Sequence, residues 1–329
     1  MKLKLRLLLT CLSALTALGA GAEESAAPTS KAVTAKKNTA PQTPPTHANV
    51  AYGAHERQVL DVWLAKSDRH TPVLFHIHGG GWVTGDKSTV SQLDRYLAAG
   101  ISVVSINYRY VTQAIEAGVK PPVQWPLADA ARALQFVRSK AVEWNLDKTR
   151  IIATGGSAGA CSSLYLAFHD DFADPTSADP VARQSTRLLA AAVNVAQTTL
   201  DPQQMIEWTP NSKYGGHAFG LMPDPKDLKT RDTQFAQFLA ARAELLPWIK
   251  QYSPWEHATK DDPPIYLTYT SVPALGQPAK DPTHTANFGV KLQEHLRRLG
   301  VPCELVYPGA PEVQHDTITD YVLDRLAAR

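Results

Sequence analysis

The chain has 329 residues, of which 44% are hydrophobic, and 33 Lys and Arg stand against 31 Asp and Glu for a formal charge of +2. That length holds one large α/β domain or two small ones, and the hydrophobic share supplies a sizeable core. The balanced charge provides no basic field, so nucleic acid is not expected as a partner.

Lys2, Lys4 and Arg6 precede an apolar run from Leu7 to Leu18, followed by the small residues Ala20-Gly21-Ala22. This is the layout of a secretory signal peptide over residues 1–22, with an A-x-A cleavage site after Ala22. Its apolar core is too short for a comfortable membrane span, so a periplasmic or secreted protein with no stable membrane insertion after cleavage is expected. Cys11 lacks the small preceding residue of a lipoprotein signal. Residues 23–46 are rich in Ala, Pro, Thr, Ser and Lys and nearly free of large apolar side chains, which predicts a flexible spacer.

A single folded domain is expected over 47–329. A strand hairpin near Val50 to Leu64 leads into alternating strands and helices that end in a helix around Ile318 to Leu326. Such alternation calls for an α/β fold, with a mainly parallel sheet covered by helices on both faces. Pro72 to Ile77, Arg150 to Thr154 and Ala190 to Val195 read as strands. Leu127, Ala131 and Leu134 set one face of a helix over Leu127 to Lys140. Between residues 197 and 260 the alternation breaks, which marks a cap insertion. Its Trp208, Tyr214, Phe219, Trp248 and Trp255 either stack on a phenolic or sugar ring or form the cap's own core. Ile265 to Thr270 then reads as the penultimate strand and Glu304 to Tyr307 as the last. Phe288, Leu292, Leu296 and Leu299 share one face of the helix between them.

Two motifs carry chemistry. Gly155-Gly156-Ser157-Ala158-Gly159 is a G-x-S-x-G elbow between a strand and a helix whose Cys161, Leu164, Tyr165 and Phe168 recur at helical spacing. Glycine-rich turns of this kind also bind phosphate, but no Lys-Ser or Lys-Thr pair follows, which disfavours a P-loop. Upstream, His78-Gly79-Gly80-Gly81-Trp82 follows a strand. Acyl transfer generates an oxyanion that needs N–H donors already aimed at it, and Gly80, Gly81 and Ala158 are the candidates. His78 is read as a loop-ordering residue. Trp82 adjoins the loop and is a substrate-pocket candidate.

These motifs resemble the alpha/beta-hydrolase superfamily, and within it the HGGG-type carboxylesterases related to hormone-sensitive lipase and to bacterial feruloyl and acetyl-xylan esterases. The resemblance runs from about Leu60 to the C-terminus. It includes Asp61-Val62-Trp63-Leu64, Gly85-Asp86-Lys87, Ser105-Ile106-Asn107-Tyr108-Arg109 and Asp129-Ala130-Ala131-Arg132. It implies an alpha/beta-hydrolase fold and a serine esterase, and it suggests acetyl or feruloyl esters of plant polysaccharide as substrates.

In such enzymes the triad follows the chain order Ser, Asp or Glu, His. Ser157 is the candidate nucleophile. Asp281, after the penultimate strand, is the candidate acid, although Ser271 to Lys280 looks like an insertion ahead of it; Glu312, Asp316 and Asp262 are its rivals. His315 follows the last strand and is the candidate base. His284 competes with it, or else lines the cleft mouth or positions the loop. His76 and His78 alternate on one strand, but two such ligands do not make a site and no H-E-x-x-H or CxxC pattern is present, so no metal or other cofactor is expected. Cys161 and Cys303 are expected as buried free thiols. The resulting expectation is an exported serine esterase acting on small-molecule or polysaccharide-linked esters. The alternatives are a peptidase on the same fold and a non-catalytic carbohydrate-binding protein with a relic elbow.

Overall fold

The computed structural model describes residues 43–327. The expected signal peptide and residues 23–42 of the expected spacer lie outside the described residues. Thr43 and Thr46 already bond to the sheet: the Trp63 indole N–H donates to the Thr43 carbonyl at 2.7 Å, and the Leu64 N–H donates to Thr46 Oγ1 at 3.0 Å.

Among the described residues eight strands form one sheet: β1 (His47–Ala51), β2 (Val59–Trp63), β3 (Thr71–Ile77), β4 (Ser102–Ile106), β5 (Leu146–Gly156), β6 (Ala190–Asn194), β7 (Ile265–Thr268) and β8 (Cys303–Val306). Their spatial order is β1-β2-β4-β3-β5-β6-β7-β8. β2 pairs antiparallel with β1 and β4, and every later pairing is parallel. Parallel neighbours require crossovers, which the helices supply. These are α1 (Leu93–Ala98), α2 (Val111–Glu116), α3 (Gln124–Ser139), α4 (Ala158–Phe168), α5 (Pro202–Trp208), α6 (Phe235–Ala240), α7 (Arg242–Tyr252), α8 (Pro254–His257), α9 (Asn287–Leu299) and α10 (Ile318–Leu326).

The pleat of β3 divides the core. Val73, Phe75 and Ile77 join a large cluster with α3, α4 and α9, while Leu74 joins a second with Tyr96 of α1 and Tyr321 and Val322 of α10. Alternate side chains thus serve opposite faces of the sheet. Every residue of α4 is buried, as expected of a helix that is apolar or small all round. Amphipathic α9 instead turns Phe288, Leu292 and Leu296, at i, i+4 and i+8, into the large cluster.

Strand order is what creates the site. The chain passes from β3 to β4 on one side and later to β5 on the other, so β3 lies at a switch point, where crevices open beyond the carboxyl ends of the strands. Ile77 at the end of β3 is in register with Gly155 of β5, and Gly156 with Asn194 of β6. The glycine loop after β3 and the elbow after β5 therefore emerge side by side.

The 197–260 segment carries α5 to α8, and its aromatics mostly face inward. Phe219 stacks on Phe238 at 5.4 Å, and Trp208 lies 5.1 Å from Trp255 and 6.0 Å from Phe288. Asp201 caps α5 by accepting from the Gln203 N–H at 2.8 Å and also takes a two-point contact from Arg242. Cys161 is buried on α4 and Cys303 lies on β8, both as free thiols. No described helix is long and apolar enough to cross a membrane.

Candidate active site

Ser157 occupies the turn between β5 and α4 at φ 53° and ψ −122°, a strained conformation that lifts its hydroxyl clear of the sheet. A Cβ at position 159 would collide with the Ile77 carbonyl, so only glycine allows the helix to start this close to β3. The Ser157 N–H donates to the Asn194 carbonyl at 3.2 Å, which ties the elbow to the end of β6.

The hydroxyl of Ser157 lies 3.0 Å from Nε2 of His284, whose Nδ1 lies 2.8 Å from Oδ2 of Asp281. An ionised carboxylate only accepts, so Nδ1 carries a proton and Nε2 of the neutral ring is left to accept from the serine. Burial by itself would raise the Asp281 carboxyl. The hydrogen bond and charge of His284, with the N–H groups of Thr283 and His284, outweigh it and hold the group below the ordinary carboxylate range.

His315 is elsewhere, which corrects the sequence expectation of a base after the last strand. Its Nδ1 is 2.8 Å from Oε2 of Glu304, its own N–H donates to Oε1 of Glu304 at 2.7 Å, and its carbonyl accepts from the Tyr266 hydroxyl at 2.9 Å. Its ring packs edge-on to Tyr321 at 5.2 Å. Glu304 belongs to β8 itself, so the strand holds this histidine against α10, away from the serine. His284, expected at most to compete for that role, takes the position beside Ser157.

The loop between β7 and α9 accounts for this exchange. Its residues reach the 197–260 segment: the Gly276 N–H donates to the Trp208 carbonyl at 3.0 Å, and Asn211 exchanges two hydrogen bonds with the backbone of Ala279. Asn287 at the head of α9 donates to the carbonyls of Trp208 and Ala274 and to Thr209 Oγ1, and accepts from the Ala274 N–H. Buried Gln197 donates to the Thr283 carbonyl at 2.6 Å, between the acid and the histidine. Sequence reasoning missed Gln197 and Asn287. Of the acid's rivals, Asp262 accepts from the Thr259 N–H at 2.6 Å, well removed in the chain from the Ser157–His284 contact.

The glycine loop bends back over the elbow. Gly80 and Gly81 adopt φ 97° and 62°, values open chiefly to glycine. A Cβ on Gly79 would stand 3.6 Å from that of Ser157, so the loop passes directly over the serine. Ala158 heads α4, where the first N–H groups have no intrahelical acceptor.

The signature residues hold this loop from below. The Tyr108 hydroxyl donates to the His78 carbonyl at 2.9 Å and the Gly79 carbonyl at 3.1 Å, and its ring stacks on His78 at 4.3 Å. Asn107 accepts from the Lys87 N–H and donates to Asp86, while Lys87 pairs with Asp61 at 2.9 Å in a buried ion pair. Arg109 makes a forked contact with buried Asp129. His78 Nδ1 sits 2.8 Å from the Gly79 carbonyl and His76 Nδ1 sits 2.9 Å from Ser105 Oγ. Burial brings both rings down to about 4, so they are neutral near pH 7. Among the described residues no three His, Cys, Asp or Glu side chains gather as metal ligands.

Trp82 departs from its expected place in the substrate pocket. It is fully buried, its indole N–H donates to Ser162 Oγ at 3.0 Å, and its ring lies 6.4 Å from Tyr214 and 6.2 Å from His217. The side chain thus packs inward onto α4, from a backbone at a positive φ of 58°.

A sequence model of the BD-FAE family matches residues 60–272, ending before Asp281, His284 and His315. The chain is similar to the probable carboxylic ester hydrolase LipM of Mycobacterium tuberculosis, at 34% identity over 151 residues, which are 44% of this chain and 32% of LipM. It thus spans about a third of that relative's length. Among solved structures it is similar to Thermogutta terrifontis esterase 2 phosphonylated by sarin, with TM-score 0.61 and 20% identity over 87% of this chain and 94% of the other. It also resembles an acetyl ester-xyloside bifunctional hydrolase from Caldicellulosiruptor lactoaceticus, with TM-score 0.55 and 23% identity over 76% of each chain. At such identities these likenesses speak for the fold. Together with the sheet order and the elbow, the match across most of the domain shows that the chain belongs to the BD-FAE family and has the alpha/beta-hydrolase fold.

Proposed function

We propose that the protein is an exported serine esterase that cleaves carboxylic esters through an acyl-enzyme. The observation that carries this reading is the contact chain from Ser157 through His284 to Asp281 on a strained elbow. Ser157 Oγ attacks the ester carbonyl carbon while Nε2 of His284 takes the hydroxyl proton. The carbonyl electrons move to oxygen, and the N–H groups of Gly80, Gly81 and Ala158 receive the oxyanion. Collapse expels the alcohol oxygen, which takes the proton back from Nε2, and leaves the acyl group on Ser157. Water repeats the sequence, giving up its proton to His284, and releases the acid. Asp281 orients the ring and steadies its charge.

Export is supported by the basic and then apolar N-terminus. Acetyl or feruloyl esters of plant polysaccharide are proposed as substrates, in keeping with the Gly-Asp-Lys and Asn-Tyr-Arg signatures and with the acetyl ester-xyloside hydrolase among the structural relatives. A fluorophosphonate probe should label Ser157, and Ser157→Ala should remove both labelling and ester hydrolysis. A panel of acetyl, feruloyl and long-chain esters tests the substrate class: preference for long chains, or for a peptide amide over any ester, would overturn it.

A further inference from the structure

Gly81 faces a side chain that no part of this reaction uses. A Cβ at position 81 would collide with Nη1 of Arg231, so the guanidinium occupies the space that a side chain on the glycine loop would fill. Arg231 comes from the cap insertion and is locked in place. Its Nε and Nη2 bind Asp232, at 3.1 and 2.5 Å, and its guanidinium carbon lies 5.4 Å from the centre of the Tyr214 ring. Nη1 has no hydrogen-bond partner among the described residues, and 27% of the side chain reaches solvent.

The far side of Gly81 is held as well. Its carbonyl lies 2.9 Å from Nε2 of His217, which is fully buried and, with burial and Arg231 bringing it down to about 4, neutral near pH 7. Its Nδ1 has no hydrogen-bond partner and faces Asp232 at 3.8 Å. Nε2 therefore carries the ring proton and donates it to Gly81. The 197–260 segment thus meets Gly81 at two points, a bond from His217 to its carbonyl and the close approach of Nη1 of Arg231, which sets a fixed cation beside one of the candidate oxyanion donors.

We propose that Arg231 is a specificity-determining residue that binds a carboxylate carried by the substrate close to its scissile ester, as in esters of uronic acids or half-esters of dicarboxylic acids. This rests on the esterase reading and narrows its substrate class. Two N–H groups on Nη1 suit an anion, and the contacts to Asp232 and Tyr214 fix the fork before substrate arrives, so little ordering is needed on binding. Because Asp232 already neutralises the formal charge, the selectivity should be moderate.

The test compares the full-length protein with Arg231→Gln and Arg231→Lys. 4-Nitrophenyl hemisuccinate is set against 4-nitrophenyl butyrate, and 4-acetoxybenzoate against its methyl ester, placing the carboxylate on the acyl and the alcohol side in turn. The readout is the ratio of kcat/KM for the charged ester over its neutral counterpart, with thermal melts to confirm folding. In at least one pair the native ratio should exceed unity, fall about tenfold in Arg231→Gln, recover largely in Arg231→Lys and decline with added salt. A native ratio at or below unity in both pairs, or an equal loss on charged and neutral esters in Arg231→Gln, would overturn the proposal while leaving the esterase intact. Failure of the native protein to cleave any of the four esters would instead remove the esterase reading and this inference with it.

Discussion

The loops that follow β7 and β8 each hold a histidine whose Nδ1 lies 2.8 Å from a carboxylate, yet only one of these rings reaches Ser157. The Asp281–His284 pair lies in the open, with side chains 62% and 33% exposed, whereas Glu304 and His315 are only 14% and 17% exposed. A histidine–carboxylate pair is therefore no signature of catalysis by itself. In the first pair the ring's other nitrogen faces a serine hydroxyl. In the second it lies 3.5 Å from Asp324, so both nitrogens face acids and the contact ties β8 to α10.

The sharpest way to break the comparison is to remove each ring. His284→Gln, like Ser157→Ala, should lower kcat/KM for a simple ester about ten-thousand-fold, while His315→Gln should stay within about threefold of the native value, as steady-state kinetics would show. The reverse ranking would return the base to the last loop. Asp281→Asn should cost about 10²–10⁴-fold in kcat with little change in KM, because the ring loses its tautomer control but keeps its place.

A third class of histidine sharpens the contrast. His76, His78 and His217 have no carboxylate within hydrogen-bond reach, and burial brings each from its ordinary 6.5 down to about 4. The unfolded chain takes up protons there that the folded chain refuses, so their contribution is complete above pH 6.5 and is lost as pH falls toward 4. Each should remove about 1.4 kcal/mol of stability per pH unit within that window. Asp262 works in the opposite direction, since burial raises it to about 6 and acid favours its folded form, but it offsets only part of the effect of three rings. Chemical denaturation at pH 7 and pH 5 would measure this, and equal stability at the two values would contradict it. The smallest effect should come from Glu304→Gln, which weakens a charge-assisted contact to His315 and should cost about 1–3 kcal/mol in thermal unfolding while sparing kcat.

Much of the scaffold could be read before any coordinates. The glycines around Ser157, the apolar strands and the i, i+4 face of α9 are local signals, and α10 spans Ile318–Leu326 as its pattern implied. Residue pairings across long separations were harder to read. Nothing near His315 announces that Glu304, eleven residues earlier, will claim both its ring and its N–H. The three-residue spacing of Asp281 and His284 was the available clue, because it allows a contact within one turn. Trp82 misled for a similar reason: an aromatic beside a loop can face either way, and its partner Ser162 lies 80 residues further along the chain. Gln197 and Asn287 act through carbonyls, which carry no sequence signature.

On the proposed mechanism, placing Asp281 and His284 on the same turn gives the molecule a modular reagent. The acid and the proton carrier travel as one cassette, pinned to the cap by the Trp208, Thr209 and Asn211 contacts rather than spread over two strand ends. On that reading a single segment exchange between related chains would carry acid and base together, while the last strand, its loop and α10 contribute the structural contacts of Glu304, His315 and Asp324.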